Sequence, residues 1–493
     1  MDIPSIDMAG PGQVRPLSAR WVIEGDVILI SAAHVGGREE GPADLNVLRE
    51  RTSNKPLLTG SSLAGALRGH LADILGGFRS LEHADVGSLF GRVGATDGEL
   101  DTGDQSHLIV FDSVAELPLH RAEELRDGVA INAASGTAQA HKRFDLEVLP
   151  AGTRFPIRVE LLAPSEREEV RLVSLLIAAL SGLTPGNIAL GARRARGLGG
   201  LRSERWRAVR YDLSKQTDWL AWLTSDPCVP IDASAPDHKD ARDACLAAWP
   251  GAQLIALSNE RRRVTARVQL HFSSGLLIRS APTSADAPDA VHLSSGGQPI
   301  LPGTSLAGVL RARARRILRV VRQQHGDAEV WLERLFGTEP GDRDKALSAS
   351  RLRVSESVIR NAKPLRQTRV QIDRFTQGTA PTALFEEEPV FGGEVEVRIE
   401  LRLPEASESP ELAEVGLLLL LLKDLLTGDL VIGGTGSIGR GAVYGTATIT
   451  LADGREFELA PGRTADATTE QALTEAIRAL HHVPALSDKD EVA

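Results

Sequence analysis

Cysteine is nearly absent from this chain. Cys228 and Cys245 are the only two in 493 residues, too few for a disulfide framework or a zinc set. Aromatic residues make up 4% of the chain, and no RRM-type stacking motif is present, so single-strand readout on an aromatic platform is not expected. Long apolar runs are missing too. The richest stretch, Leu417 to Leu422, is six leucines long and is broken at once by Lys423 and Asp424, far short of the roughly 18 apolar residues of a membrane span. The first twelve residues, MDIPSIDMAGPG, have neither the basic start nor the apolar core of a signal peptide. These absences predict a cytoplasmic protein with no membrane contact.

What is present is ordinary for a globular chain of several domains: 42% hydrophobic and 25% charged residues. The net charge of −10 argues against nucleic acid on its face, but binding depends on local field. Arginine is concentrated in three places. Residues 193–210 hold seven Arg against one Glu, residues 311–322 hold six Arg and no acid, and residues 261–267 hold four. Taken singly, each cluster reads as a solvated face.

An internal repeat organises the chain. Leu58-Thr59-Gly60-Ser61-Ser62-Leu63-Ala64-Gly65-Ala66-Leu67-Arg68 returns 243 residues later as Leu301-Pro302-Gly303-Thr304-Ser305-Leu306-Ala307-Gly308-Val309-Leu310-Arg311. Leu89-Phe90-Gly91 returns at Leu335, Ile131 and Phe144 at Ile372 and Phe385, Arg158-Val159-Glu160-Leu161 at Arg398, and Gly197-Leu198-Gly199 at Gly439. The matches keep their order and all lie 240 to 246 residues apart, which is a tandem duplication. The predicted division is a first domain over 1–210, a partly helical insert over 211–263, a second domain over 264–461, and a C-terminal helix with a disordered tail over 462–493.

Within each copy, alternating segments (Ala19 to Ser31, Thr265 to Phe272) read as strands. Ser61 or Ser62, and Thr304 or Ser305, are candidate caps for a following helix. Strands are expected near Phe155 to Leu162 and Val395 to Leu403, and helices over Glu168 to Leu180 and Glu411 to Leu426. The fold class is α+β, two tandem RRM-like (ferredoxin-like) domains.

Two elements per copy could take an anion. The loop from Gly433 to Gly441 contains a literal GxGxxG, but a helix precedes it and a strand follows, the reverse of a dinucleotide fingerprint. It remains a glycine turn whose amides can approach phosphate, with Arg440 beside them; a tight turn needing positive φ accounts for it equally well. Copy one has Arg193, Arg194 and Arg196 in the same place. The helix starts at Gly60 and Gly303 supply free N–H groups, with Arg68 and Arg311 about two turns on; ordinary capping is the bland reading.

The Gly-Thr-Ser-Leu-Ala-Gly element, the closing glycine loop, and the stretches Ile131 to Phe155 and Ile372 to Gly393 together resemble the RAMP superfamily of CRISPR proteins. Both copies are similar to the backbone subunits of type III effector complexes, and the tandem arrangement resembles the fused subunits of type III-D-like systems. The resemblance implies inserted thumb hairpins, within Val129 to Glu147 and Arg369 to Glu388, that wedge into a guide–target duplex. It implies guide (CRISPR) RNA, complementary target RNA and other effector subunits, including a polymerase-like large subunit, as partners. It further implies an endoribonuclease that uses Mg2+ or Mn2+ and an aspartate on a loop before the Gly-Ser-Ser element. Asp44 holds that place in copy one. Asp289 matches in copy two, with Asp286 competing. Family histidine and glycines upstream correspond to His34, Gly36 and Gly37 in copy one, where copy two has Leu277-Ile278-Arg279-Ser280.

Asp44 and Asp289 are therefore the candidate catalytic and metal-binding residues. The candidate RNA contacts are His34, Gly36, Gly37, Ser61, Ser62, Arg68, Arg193, Arg194, Arg196, Thr304, Ser305, Arg311, Arg374, Phe375, Gly436, Ser437 and Arg440. Two other readings stand beside this one: a non-catalytic structural subunit of the same complex, and a guide-processing endoribonuclease, at which only His34 hints.

Overall fold

The computed structural model describes residues 16–37, 43–78, 83–92, 103–119, 122–132, 135–226, 229–231, 235–281, 286–338, 347–404, 410–462 and 467–486. The tail expected to be disordered lies mostly outside these residues.

Copy one begins with β1 (Ala19–Leu29), α1 (Gly60–Gly76), α2 (Ala84–Phe90) and β2 (Leu108–Val110). A hairpin of β3 (Glu124–Ile131) and β4 (Ala138–Val148) follows, then β5 (Arg154–Ala163), α3 (Glu166–Leu180) and β6 (Leu201–Asp212). The sheet order is β2-β5-β1-β6, every neighbour antiparallel. In chain order its strands thus lie second, third, first, fourth, which is the ferredoxin-like β-α-β-β-α-β arrangement with the hairpin inserted between the second and third strands. Alternation decides which face is covered: Trp21, Ile23, Val27 and Leu29 of β1 meet Leu63, Leu67 and Leu71 of α1 and Leu172, Leu175 and Leu176 of α3 in one core.

The insert carries α4 (Gln216–Thr224) and α5 (Ala241–Ala248). It is no free linker. Ala241, Ala244 and Cys245 belong to the core of copy one, and Trp206 exchanges backbone hydrogen bonds with His238.

Copy two repeats the plan with β7 (Arg262–Phe272), α6 (Gly303–Val321), α7 (Ala328–Phe336), β8 (Leu352–Val354), the hairpin β9 (Gln367–Ile372) and β10 (Thr379–Glu388), β11 (Glu394–Leu403), α8 (Glu411–Leu426) and β12 (Val443–Thr450). Its sheet order is β8-β11-β7-β12, extended by β13 (Glu456–Leu459). A last helix, α9 (Ala467–His482), packs on α8, where an added Cβ on Gly416 would collide with the Ala476 carbonyl.

Capping differs from the sequence expectation. Thr59, not Ser61 or Ser62, caps α1, its Oγ1 accepting from the Ser62 N–H at 3.2 Å. Helix α6 follows Pro302 with no side-chain cap, so Thr304 and Ser305 lie in its first turn. Proline suits this start because it presets an extended entry.

Most of the arginine clusters are absorbed by ion pairs. Arg207 pairs with Asp237, Arg210 with Glu169, Arg313 with Asp424, Arg315 with Glu329, and Arg322 with Asp327. The expected solvated faces are instead ion-paired, and Arg322 is 1% exposed.

Candidate nucleic-acid interface

Both hairpins rise out of their sheets and expose apolar side chains. Leu125, Val129 and Ile131 on the first, and Ile372, Leu384 and Phe375 on the second, are at least half exposed or nearly so, Phe375 reaching 91%. Strand pairing holds each hairpin, from Glu124 against Val148 in the first and from Gln367 against Glu387 in the second. No core holds their outer halves, so these faces are open to a partner. Arg374 is exposed beside Phe375 at the second tip.

The predicted aspartates sit at the hairpin bases. Asp44 Oδ2 accepts the Asp145 N–H at 2.9 Å, and Asp289 Oδ2 accepts the Glu386 N–H at 2.8 Å. The bonds are equivalent in the two copies. Each is followed by a short parallel pairing, Leu45 with Leu146 and Ala290 with Glu387. Asp286 makes no such bond; its carbonyl accepts from Arg366. The repeat therefore pairs Asp44 with Asp289. Both side chains are exposed.

Each glycine loop reaches the same place. Ala192 N–H donates to the His34 carbonyl at 2.9 Å, and Gly434 N–H to the Leu277 carbonyl at 2.9 Å. Both loops hold one short 3-10 turn, Arg194–Arg196 and Gly436–Ile438, between left-handed residues, Arg193 and Gly197 in one and Thr435 and Gly439 in the other. The helix-to-strand turn with positive φ is thus real, and shared despite different sequences. The Arg193 guanidinium lies 4.3 Å from the Phe144 ring; burial, then Arg196, lowers its pKa. Arg194 and Arg196 are exposed, as are Ser61, Ser62 and Ser437, while Arg68, Thr304, Ser305, Arg311 and Gly436 are half-buried.

Two predicted contacts face inward. His34 is 4% exposed and its Nδ1 is bonded to the Glu147 carbonyl at 2.8 Å. It ties the loop to the hairpin and does not reach solvent. Arg440 is 4% exposed, donating to Glu387 at 2.8 Å and to Gln367 at 2.5 Å. Its charge is consumed internally. Gly36 is exposed and Gly37 half-buried; an added Cβ on Gly36 would approach His34 Nε2 to 2.6 Å.

The two aspartate surroundings differ in charge. In copy one, the Asp145 carboxyl is raised above its usual range by its side-chain hydrogen bond to Asp127, with Asp44 adding repulsion. In copy two, Glu386 is held below the usual range by Arg366 and then Thr368. Next to it Glu387, 2% exposed, takes Arg279, Arg440 and Arg369. Burial opposes its ionisation, but these arginines outweigh burial and keep it low. Glu387 aligns with Leu146, Arg279 with Gly36 and Arg440 with Leu198, so a charged cluster replaces a small apolar core of Leu146, Leu198 and Phe144. Sequence reasoning missed Asp127, Asp145 and Arg369. The 241-residue offset that aligns Phe144 with Phe385 also aligns Asp145 with Glu386 and was the signal available.

Among the described residues no three His, Cys, Asp or Glu side chains are arranged to hold a metal ion. One or two carboxylates fit a hard cation such as Mg2+ only where substrate phosphates and water complete the shell. Asp44 with Asp145 and Asp127 nearby meets that donor chemistry better than Asp289 beside Arg366 and Arg279.

The copies also meet at this surface. Arg126 at the first hairpin base pairs with Glu356 of copy two at 2.6 Å, both side chains buried. Glu124 accepts from Gly296 N–H at 2.7 Å. Gly303, which starts α6, has room for no side chain, since a Cβ would lie 2.5 Å from the Arg196 carbonyl. The glycine loop of copy one therefore abuts the helix start of copy two.

A family model of the RAMP superfamily matches residues 26–202 and 270–444. The chain belongs to the RAMP superfamily. Each match covers one ferredoxin-like copy from within its first strand to its last, so this RAMP protein is a tandem pair, a CRISPR-associated RNA-binding subunit. No curated protein matches it significantly. No described helix is long and apolar enough to cross a membrane.

Proposed function

We propose that this RAMP protein is a double backbone subunit of a type III CRISPR ribonucleoprotein, possessing one RNA-cleaving aspartate per copy. The observation that carries the reading is the repeated convergence of an exposed aspartate, a hairpin base and a glycine loop, with the Asp44–Asp145 bond reproduced as Asp289–Glu386. Guide RNA is held independently of sequence by the glycine turns and by Arg194 and Arg196. The apolar hairpins separate guide from target.

Cleavage follows from a splayed target backbone. The hairpin aligns a ribose 2′-hydroxyl in line with its own phosphate. The 2′-oxygen bonds to phosphorus, the 5′-oxygen leaves and takes up a proton, and the 2′-proton passes to base. Products are a cyclic 2′,3′-phosphate and a 5′-hydroxyl. The anchored aspartate carboxylate is positioned to accept that proton or to hold Mg2+ or Mn2+. The cation, when bound, supplies charge stabilisation at the phosphate. A polymerase-like large subunit and the remaining effector subunits complete the proposed assembly.

The test is the assembled complex with labelled target RNA in Mg2+. Asp44→Ala and Asp289→Ala should each remove one cut and leave RNA binding intact. Persistence of both cuts in both variants overturns the assignment. A second reading, that copy two only holds RNA, is favoured by the arginine-compensated surroundings of Asp289. It predicts a single cut in the unaltered complex, removed by Asp44→Ala.

A further inference from the structure

The copies meet a second time, at the far end of α1, through arginines that the RNA reading does not use. The outer face of the second sheet presents Arg263 on β7, Arg353 on β8, and Arg398 and Arg402 on β11, with Arg261 just before β7. Against them lie the last turns of α1 and the turn after α3. Arg402 Nη1 reaches Asp73 Oδ2 at 3.3 Å, and its guanidinium lies 4.3 Å from the Phe78 ring centroid. Arg261 and Arg263 donate to Asn187 Oδ1 at 3.3 and 3.4 Å, and Arg353 to the Asn187 carbonyl at 3.3 Å. Glu400 takes Arg263, Arg398 and Arg402.

Donors outnumber acceptors here. Five guanidiniums face two carboxylates, Asp73 and Glu400. His70 turns an acceptor toward Arg261 and keeps a donor on the far side of its ring. Its Nδ1 meets Arg261 Nη1 at 3.5 Å, and a guanidinium can only donate, so the ring proton is on Nε2. That Nε2 is buried with no partner, in a residue 5% exposed. Such a donor bears its full desolvation cost. Histidine adds no charge of its own: burial, then Arg261, Arg402, Arg263 and Arg353, push its pKa to about 3. Burial and Arg402 bring even Arg353 down to about 10.

We propose that this junction binds one phosphate dianion between the copies. Tetrahedral oxygens supply the acceptors that the guanidinium forks lack. The charge excess favours a free phosphate dianion over the singly charged phosphodiester of RNA, although Arg353 lies near Arg194 of the glycine loop. His70, at the other end of the junction, is ten residues along α1 from Gly60, about 15 Å from the helix start at 1.5 Å per residue. A bound anion there fixes one copy against the other, and with them the distance between Asp44 and Asp289.

The experiment titrates inorganic phosphate into the full chain at low ionic strength, by calorimetry, with chloride at matched ionic strength as control. One saturable phosphate per chain is expected, and a melting temperature that rises in phosphate and not in chloride. Arg261→Gln and Arg353→Gln should each weaken binding at least about tenfold, while Arg455→Gln, remote on the β12–β13 turn, should not. Should the glutamine variants fail to fold, Arg353→Lys keeps the charge, loses the fork, and should still bind measurably more weakly. No saturable binding, or unchanged affinity in every junction variant, overturns the proposal. Repeating the titration after guide RNA is loaded separates the sources: continued binding supports the free anion, and exclusion by RNA assigns the site to the RNA backbone and overturns it. The titration itself needs no RNA, so its result is independent of the cleavage assay.

Discussion

Asp44 and Asp289 each commit Oδ2 to a backbone N–H of the neighbouring hairpin strand while the side chain stays exposed. An asparagine can accept the same bond through its amide oxygen but carries no charge. Asp44→Asn is therefore expected to keep the loop in place and retain RNA, yet slow the cut at copy one at least about 100-fold; product mapping on a gel checks it. His70 gives a pH signature. The folded chain keeps it neutral down to about pH 3, against an ordinary value of 6.5. Between those values the unfolded state binds the extra proton, so stability falls as pH falls through that window. His70→Asn should flatten the slope of the urea midpoint against pH between about 7 and 5.

The elements with the least intrinsic support are the hairpins and the insert, and each is held by a few contacts. The first hairpin is fixed at its base by Arg126 and Glu356, with side-chain exposures of 8% and 3%. Removing one partner of a buried pair leaves the other charge without compensation. Arg126→Met should cost about 3–5 kcal/mol in urea unfolding. The insert is anchored by α5. Burial raises the Cys245 thiol to about 12, so almost no thiolate exists at neutral pH. In a Cys228→Ser chain, iodoacetamide should leave Cys245 unmodified until denaturant is added; labelling of the native chain would mean that α5 detaches from copy one.

At the scale of the molecule, the two copies are joined head to tail, so the surface one copy offers differs from the surface the other supplies. The glycine loop of the first meets the helix start and the Val354 to Glu356 segment of the second. Gly197 has φ of +90° and no space beside the Glu356 backbone. Gly197→Ala combines strain with a collision at the junction. It is expected to lower the melting temperature and widen the small-angle scattering profile while leaving each copy folded. Within each copy, arginine counts misled because the partners lie far along the chain. Pairs such as Arg210–Glu169 and Arg313–Asp424 join residues 41 and 111 positions apart, and no local window shows them.

Much of this was legible in the chain itself. The repeat needs only residue order, and its offset carries the duplicated fold, the sheet strands and the hairpins with it, because like sequences bury like apolar faces. The strand alternation of Val395 to Leu403 and the leucine spacing of α1 are local, period-bound signals. Tertiary structure decided what depends on distant partners. It made Asp289, not Asp286, the structural counterpart of Asp44 through one hydrogen bond to a strand 97 residues away. It turned His34 and Arg440 inward, because a carbonyl and a carboxylate from the hairpin were waiting for them. It also brought four arginines, Arg261, Arg263, Arg353 and Arg402, against His70 of copy one. Periodicity reports which face of an element is apolar; only the folded chain sets which polar group each charge meets.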